Sequence, residues 1–515
     1  MDKNPAKPDR RRFLRDSALV TGGIAGLSAW PSAASPAQAP QGRGAGRATL
    51  ERPTTASGKP LSRQFAQWVV ALRHEDLPAA VVDRAKGLTL QNLASALLGS
   101  QMAAGQQATK FVIDEEAGVK NGATVLVAGT KVTKGGAGFA NSEMMLAGGK
   151  WDTFRMLTHP GTAIIPSALI AAESEGATGR DFITGVAAGY EVMERMAADW
   201  IPTVMARGFH ASPVFSIFGG AIAAAKIMRF TEDQVHGVMS LCTNLAGSNL
   251  ESRALREGAA VRNAMLAVAL AKQGRVSGGE AVLEGPAGFY RAYAGNNHGE
   301  LTYSFTGDTH TSLDKLTARL GQDWMFLETL YRIYSVPGYN IAHVDVTAKL
   351  AEEHDIKYQD IDRIEAVVNW LETQYPSPAF ATQREDSLGG GEARRGSTRF
   401  YSAYGAVKRG FPLLAGTPDP PEVLELMKRV TIIPSHQMTL FGPRITIFTK
   451  DGKSYTKQAT GREFIWEFDE EVRRIRGVTP GLPIPPAQFE QLIATCRDLD
   501  RQPRADALVG LTVKR

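Results

Sequence analysis

The chain has 515 residues, of which 43% are hydrophobic and 22% charged, and its formal net charge is +5 at neutral pH. Residues 1–39 hold six basic residues against three acidic ones, so little positive charge is in excess on the rest of the chain. Nucleic acid is therefore not an expected partner. After residue 39 no stretch approaches 18 uninterrupted apolar residues, so no stable membrane anchor is expected.

The first 39 residues follow the order of a twin-arginine export signal. Arg10-Arg11 precede a spacer and Phe13-Leu14, and a short, weakly apolar stretch rich in Ala and Gly comes next. The stretch ends in Ala37-Gln38-Ala39, a cleavage site of the small-x-small type. An amphipathic or disordered basic tail is the alternative, but it leaves both Phe13-Leu14 and the Ala37-Gln38-Ala39 site unexplained. We expect a protein that folds in the cytoplasm and passes through the twin-arginine translocation machinery to the periplasm or the medium.

Residues 40–60 contain almost no large apolar residue, which predicts a disordered linker. From 61 to about 320, apolar residues recur every three or four positions, which predicts helices. Between 321 and 457, β-branched segments and a turn at Asp451-Gly452 predict an α+β domain. Residues 458–515 again show helical spacing. The expected fold is mainly α, with a large helical domain formed from both chain ends and a smaller inserted α+β lid.

The chain has two cysteines, Cys242 and Cys496, which lie far apart in segments that both have helical spacing. This excludes a disulfide scaffold and a cysteine-ligated metal site. The histidines form no His-x-x-x-His pair, and no phosphate-binding glycine motif is present. No metal and no nucleotide cofactor is expected.

Short local signatures recur in a fixed order along the chain. They include Thr158-His159-Pro160-Gly161, Gly189-Tyr190-Glu191-Val192, Gly208-Phe209-His210, Leu270-Ala271-Lys272-Gln273-Gly274 and Phe400-Tyr401-Ser402-Ala403-Tyr404. Each is weak alone, but in this order the chain resembles the MmgE/PrpD family, which includes 2-methylcitrate dehydratase and cis-aconitate decarboxylase. The resemblance implies a helical domain with an α+β lid, usually in a homodimer. It also implies cofactor-independent lyase or isomerase chemistry on small polycarboxylates.

The resemblance carries over to individual residues only in part. His159 and His210 match the family's site histidines, and Asp152 and Thr153 match the end of its acidic segment. The usual catalytic aspartate is replaced by Gly149. An alignment without gaps puts Arg253 at one family lysine and Tyr334 at another, with Tyr339 just after the following proline and His343 retained.

Two hypotheses follow from this comparison. In the first, the chain is an active lyase, with isomerase as the second choice. The expected catalytic residues are His159, His210, Tyr334, Tyr339 and Asp152. The residues expected to bind a carboxylic acid are Thr153, Lys150, Arg207, Arg253 and His343. In the second hypothesis the site has lost its chemistry and the chain is a periplasmic binding protein for an acidic ligand. The single histidines could also be structural, and the lone lysine and arginines could be solvated surface charges.

Overall fold

The computed structural model describes residues 55–252, 255–274, 278–374, 396–412 and 419–514. The predicted signal peptide and most of the predicted linker lie outside these residues. Helices predominate in the described part of the chain, which confirms the prediction of a mainly α fold. None of the described helices is long and apolar enough to cross a membrane.

The helices of the N-terminal half contain the largest part of the buried apolar surface. They are α1 Leu61–Ala71, α2 Ala79–Gly99, α3 Ala103–Glu116, α4 Lys134–Gly148, α5 Gly161–Glu175, α6 Gly179–Ala197, α7 Ile201–Ala206, α8 Ala211–Ile227, α9 Glu232–Leu245, α10 Arg256–Lys272 and α11 Phe289–Tyr293. Later in the chain come α12 Ile341–Glu353, α13 Leu371–Gln374, α14 Thr398–Lys408, α15 Pro421–Met427, α16 Phe468–Val478, α17 Pro486–Arg497 and α18 Ala507–Thr512.

Helix α8 forms the centre of this packing, against α5, α6 and α10. Apart from Lys226, all of its residues are buried, as expected for a helix that is apolar on every side. Glycines permit the close approach of α6 to α8. A Cβ atom added at Gly189 would lie 2.5 Å from the backbone oxygen of Gly219. The small residues Gly189 and Gly219 therefore serve the packing of α6 on α8, the helix that follows His210.

The strands of the described segments form three small sheets. Strands β1 Ala123–Thr124 and β2 Lys131–Val132 pair with each other, as do β3 Trp151–Thr153 and β4 Leu330–Arg332. The four-stranded sheet has the order β6-β5-β7-β8, from β5 Ile361–Asn369, β6 Val430–Ser435, β7 Arg444–Thr449 and β8 Ser454–Gln458. Strand β5 is parallel to β6 and antiparallel to β7. This sheet lies in the segment for which an α+β lid was predicted, and the division of the chain into domains stays a prediction.

The two ends of the described chain meet at helix α2. Helices α16 and α17 both pack against it, and the backbone N–H of Phe468 donates to Asp83 Oδ2 at 2.9 Å. Strand β4 also returns to the N-terminal half, where it pairs with β3, and the paired residues are 177 to 181 positions apart in the sequence. This second long-range contact brings the segment around Arg332 to the loop that holds His159.

Candidate active site

The candidate site begins where α4 ends. Gly149 ends the helix in the left-handed conformation, with φ of +70°, which glycine adopts at low cost. The chain then turns into β3, and the backbone N–H of Lys150 donates to Ser95 Oγ at 3.0 Å. Gln91 of α2 donates to the backbone oxygen of Trp151. The position of β3 is thus fixed by two side chains of α2 and by its pairing with β4.

His159 lies between β3 and the start of α5, with its ring close to Trp151 at a centroid distance of 4.9 Å. Its backbone N–H donates to Ser212 Oγ at 3.0 Å, which ties it to the first turn of α8. The Nδ1 atom is 3.0 Å from the backbone oxygen of Asp152. A carbonyl oxygen can only accept, so Nδ1 carries the proton and Nε2 has the free lone pair. Within the described residues Nε2 has no hydrogen-bond partner.

His210 precedes the first residue of α8, and its backbone N–H donates to the oxygen of Ser248 at 2.9 Å. Its Nε2 atom is 2.9 Å from an Nη atom of Arg256. A guanidinium group only donates, so Nε2 accepts and the proton lies on Nδ1. The Nδ1 atom is buried and has no hydrogen-bond partner among the described groups. The hydrogen-bonding groups that remain without a partner among the described residues are therefore an acceptor, Nε2 of His159, and a donor, the Nδ1–H of His210.

Both imidazoles are neutral at neutral pH. Burial is the main cause, and it lowers the pKa of His210 to about 4. Burial, and then the charge of Arg332, hold the pKa of His159 well below its ordinary value. Each histidine also adjoins a helix N-terminus, at α5 or α8, where the helix dipole disfavours a cation. A neutral histidine can act as acid or base without first changing its charge state.

Two cations near His159 have no carboxylate partner among the described residues: the charge of Arg332 acts on His159, and it also acts on Lys150. Burial lowers the pKa of Lys150 to about 8, with a further contribution from the charge of Arg332. Burial also lowers the pKa of Arg332, to about 10. The Arg332 guanidinium is 5.0 Å from the centre of the Trp151 ring, and its Nε donates to the backbone oxygen of Val336 at 2.8 Å. Neither cation has an ion-pair partner among the described residues. Buried cations without a counter-charge are favourable places for an anionic ligand.

Asp152 and Thr153 lie in β3 and are buried. The carboxylate of Asp152 accepts from the backbone N–H of Gly161, at 3.0 and 3.1 Å, and from the Tyr190 hydroxyl at 2.5 Å. Burial raises its pKa to about 6. The Thr153 hydroxyl donates to the backbone oxygen of Thr158 at 3.2 Å. Both side chains fix the loop around His159, and the catalytic role given to Asp152 and the binding role given to Thr153 stay predictions.

The two tyrosines differ in their surroundings. Tyr334 stacks on Phe411 with ring centres 3.9 Å apart, and its hydroxyl accepts from Arg474 at 3.0 Å. None of these contacts joins it to the histidines. Tyr339 is mostly buried, which raises its pKa, and it interacts electrostatically with Arg332. Of the two, Tyr339 is the one that the structure places near Arg332.

Among the remaining predicted binding residues, His343 and Arg207 share no hydrogen bond with His159 or His210. His343 is fully buried, with Nδ1 3.1 Å from Ser402 Oγ and Nε2 3.4 Å from Glu372 Oε2. Arg207 is exposed, and its guanidinium covers Gly295. Arg253 lies outside the described residues. The binding roles of these three residues stay predictions, and the contacts of His343 and Arg207 are of the kind that holds loops and helices in place.

Three residues at the site were not singled out from the sequence: Trp151, Arg256 and Arg332. Trp151 contacts both His159 and Arg332. The sequence did contain a signal for Arg332. The family lysine that aligns with Tyr334 opens a Lys-x-Tyr-Pro segment. If two residues are inserted before Pro337, Arg332-Ile333-Tyr334 takes the place of Lys-x-Tyr, and Arg332 replaces the lysine. Nothing in the sequence pointed to the contact between Arg256 and His210.

The arrangement can hold an anion and move a proton next to it. Lys150 and Arg332 supply positive charge, and the imidazoles supply an acid and a base. In the described part of the chain no three His, Cys, Asp or Glu side chains are grouped so as to hold a metal ion.

Part of the chain is similar in sequence to known proteins. Residues 63–302 match the MmgE/PrpD N-terminal domain. The chain is 22% identical over 340 residues to a cis-aconitate decarboxylase-like protein of Aspergillus oryzae, an alignment that covers 62% of the chain and 67% of the relative. It is 23% identical over 308 residues to a cis-aconitate decarboxylase of Aspergillus terreus, covering 57% of the chain and 61% of that enzyme. The chain thus spans about two thirds or less of the length of these relatives. Residues 63–302, which hold both site histidines, are thus similar to the MmgE/PrpD N-terminal domain.

Proposed function

We propose that the protein is a carboxy-lyase that acts on a small polycarboxylic acid without a cofactor. The observation that carries the proposal is the pair of neutral histidines together with the half-buried Arg332 near His159 and the buried Lys150 near Arg332, neither of which has a carboxylate partner among the described residues. Lys150 and Arg332 bind carboxylates of the substrate, and His159 and His210 transfer protons. The names of the relatives favour decarboxylation over the other lyase reactions.

In the proposed decarboxylation, the substrate carbon that loses CO₂ gains a proton. The bond between a substrate carbon and one carboxylate breaks, CO₂ leaves, and the electron pair stays on the carbon in conjugation with the rest of the acid. The Nδ1–H of His210 then protonates that carbon, water returns a proton to His210, and the hydroxide that remains combines with CO₂ to form bicarbonate. His159, with its free Nε2, serves where a substrate proton must also be removed. The bound cations stabilise the negative charge that develops during the reaction.

A binding protein without catalysis is the second candidate. It is favoured by Gly149, which stands where the family usually has its catalytic aspartate, and by Tyr334, whose hydroxyl is bonded to Arg474. The isomerase alternative uses the same acid and base but keeps the carboxylate. All of these alternatives share the anion site and differ in the product.

One experiment separates them. The purified protein would be incubated with citrate-like, aconitate-like and substituted succinate acids, with CO₂ release and the products followed by carbon NMR. Release of CO₂ that is lost when both His159 and His210 are replaced by Gln is the expected result. A hydrated or dehydrated product would move the assignment to hydro-lyase, and a rearranged or epimerised acid would move it to isomerase. Binding without any product would favour the binding protein.

Lys150 gives the expected pH dependence. Its pKa of about 8 lies below the ordinary value for lysine, so the free enzyme loses this charge as the pH rises through 8. A neutral amine no longer attracts a carboxylate. We expect kcat/KM to fall above about pH 8, where Lys150 loses its charge. Lys150→Arg keeps its charge and should move the alkaline limb upward by at least one pH unit. An alkaline limb that is unchanged in this variant would contradict the role given to Lys150.

Export is a separate part of the proposal. We propose that residues 1–39 direct the folded protein through the twin-arginine machinery and that the mature chain begins at Pro40. In a bacterial host, the mature N-terminus should be found in the periplasm or the medium, and Arg10→Lys with Arg11→Lys should keep the protein in the cytoplasm. Export that is unaffected by this double change would contradict the assignment. A homodimer is also proposed, on the basis of the family resemblance alone.

A further inference from the structure

Arg256 makes a contact with His210 that is unusual for a histidine expected to act as an acid. Such a histidine is often oriented by a carboxylate or a carbonyl oxygen, which accepts its second N–H. Here the partner is the guanidinium of Arg256, 2.9 Å from Nε2. Arginine stays protonated in proteins and has no lone pair to offer. The contact is therefore a hydrogen bond only if Nε2 of His210 is unprotonated.

The surroundings hold Arg256 in this position. Its Nε atom is 3.7 Å from Glu257 Oε2, and Glu257 is fully buried on the same helix, α10. Glu143 of α4 also faces this group, and burial followed by the charge of Glu257 raises its pKa to about 7. The charge of Arg256 is thus balanced from one side by Glu257, while its Nη atom points at the imidazole.

The same contact decides what the other nitrogen of His210 does. With Nε2 accepting, the ring must carry its proton on Nδ1 to remain neutral. That atom is buried and has no partner among the described groups. An unpartnered buried N–H is costly, so it is expected where a ligand will accept the hydrogen bond. His159 has the opposite arrangement, with Nδ1 donating to the backbone oxygen of Asp152.

We infer that Arg256 is a positioning residue that keeps His210 in the Nδ1–H tautomer and so makes it the proton donor of the site. The inference rests on the proposed function for the meaning of that proton, but not for the tautomer itself. Arg256 acts through His210 and not by touching the substrate. The assignment also divides the two histidines into an acid, His210, and a base, His159.

Nitrogen NMR of the protein labelled in its histidines tests this inference without a substrate. Two-bond and three-bond couplings from the ring protons show which nitrogen carries the proton, and His210→Gln identifies the resonances of His210. In the unchanged protein we expect His210 with Nδ1 protonated. In Arg256→Met the donor to Nε2 is lost, and we expect the Nε2–H tautomer to become populated. Arg256→Lys should restore the original tautomer at least in part. Arg262→Met is the matched control, because Arg262 lies on the same helix but pairs with Glu116.

Activity gives a second readout. Arg256→Met should lower kcat by about 10-fold or more while KM changes little, because it alters an acid and not a binding group. Arg256→Lys should recover part of the loss. Protonation of Nε2 of His210 in the unchanged protein would overturn the inference, even if Arg256→Met does not fold. A tautomer that is the same in Arg256→Met would also overturn it. Absence of turnover together with the expected tautomers would contradict the proposed function and leave the inference standing.

Discussion

Replacing His159 with Gln is expected to lower kcat by about 10²–10⁴-fold, the usual contribution of a positioned acid or base. Gln keeps a polar group of similar length but cannot accept and release a proton at neutral pH. The same loss is expected for His210→Gln. The double variant should lose little more than either single variant if the two residues act as one unit. Steady-state rates with the best acid of the panel measure these effects.

A buried histidine elsewhere in the chain provides the control. His236 is as buried as His159, and its Nδ1 is 3.1 Å from Ser62 Oγ, but it is not part of the site. His236→Gln should therefore leave kcat near its original value, even if the protein becomes less stable. A His159→Gln variant that keeps its thermal unfolding temperature and more than a tenth of its activity would rule out His159 as the base.

Replacing Arg332 with Met should weaken the binding of a carboxylic acid by about 10²-fold. Loss of one member of a buried charge pair typically costs about 2–5 kcal/mol, and each 1.4 kcal/mol changes an affinity tenfold. Met keeps much of the packing against Trp151 but removes the charge. Titration calorimetry with an unreactive tricarboxylate measures the effect, and the affinity of the unchanged protein should fall with added salt.

Two further variants test whether the loss of affinity comes from the charge and the geometry of Arg332 itself. Arg332→Lys keeps the charge but loses the planar, two-donor geometry, so it should bind with intermediate affinity. Arg363→Met is the control, because Arg363 also lies over an aromatic ring, 3.7 Å from the centre of Phe448, but in the four-stranded sheet. Equal affinities of Arg332→Met and the unchanged protein would remove Arg332 from the binding site.

The elements of the fold were largely predictable because their signals are local. The three- and four-residue spacing of apolar residues marks the helices that the structure contains, and the β-branched runs at Val430 and Arg444 both became strands. The pairing of β3 with β4 was not predictable. Each of the two strands has only three residues, and the residues that pair are 177 to 181 positions apart in the sequence. Short strands of this kind carry too little pattern to be recognised in the sequence.

The site was predictable only where it depends on sequence motifs. His159 and His210 were found because each lies in a short signature of the family, and the structure brings both to helix N-termini joined by Ser212. Arg332 and Arg256 belong to the site through the pairing of β3 with β4 and through a contact between two helix ends. Which nitrogen of each histidine carries a proton depends on these partners, so a sequence alone cannot give it.

Gly149 is a second position whose role could not be predicted from the sequence alone. From the sequence it is only the loss of a catalytic aspartate. In the structure it ends α4 at a φ of +70°, and a Cβ atom there would meet no neighbour within 4 Å. The position is thus open but has a backbone that favours glycine. Any carboxylate chemistry lost there must be carried by other groups, and the neutral histidines are the ones present.

Transfer of solvent deuterium to carbon tests the assignment of His210 as the proton donor. The purified protein would be incubated in deuterated water with the acid that it turns over, and the product would be analysed by mass spectrometry and proton NMR. If His210 protonates the carbon that loses CO₂, the product should carry one deuterium at that carbon, in a single stereochemical position, and His210→Gln should form almost no labelled product. CO₂ release without deuterium at that carbon, or label in both stereochemical positions, would contradict protonation by a fixed imidazole.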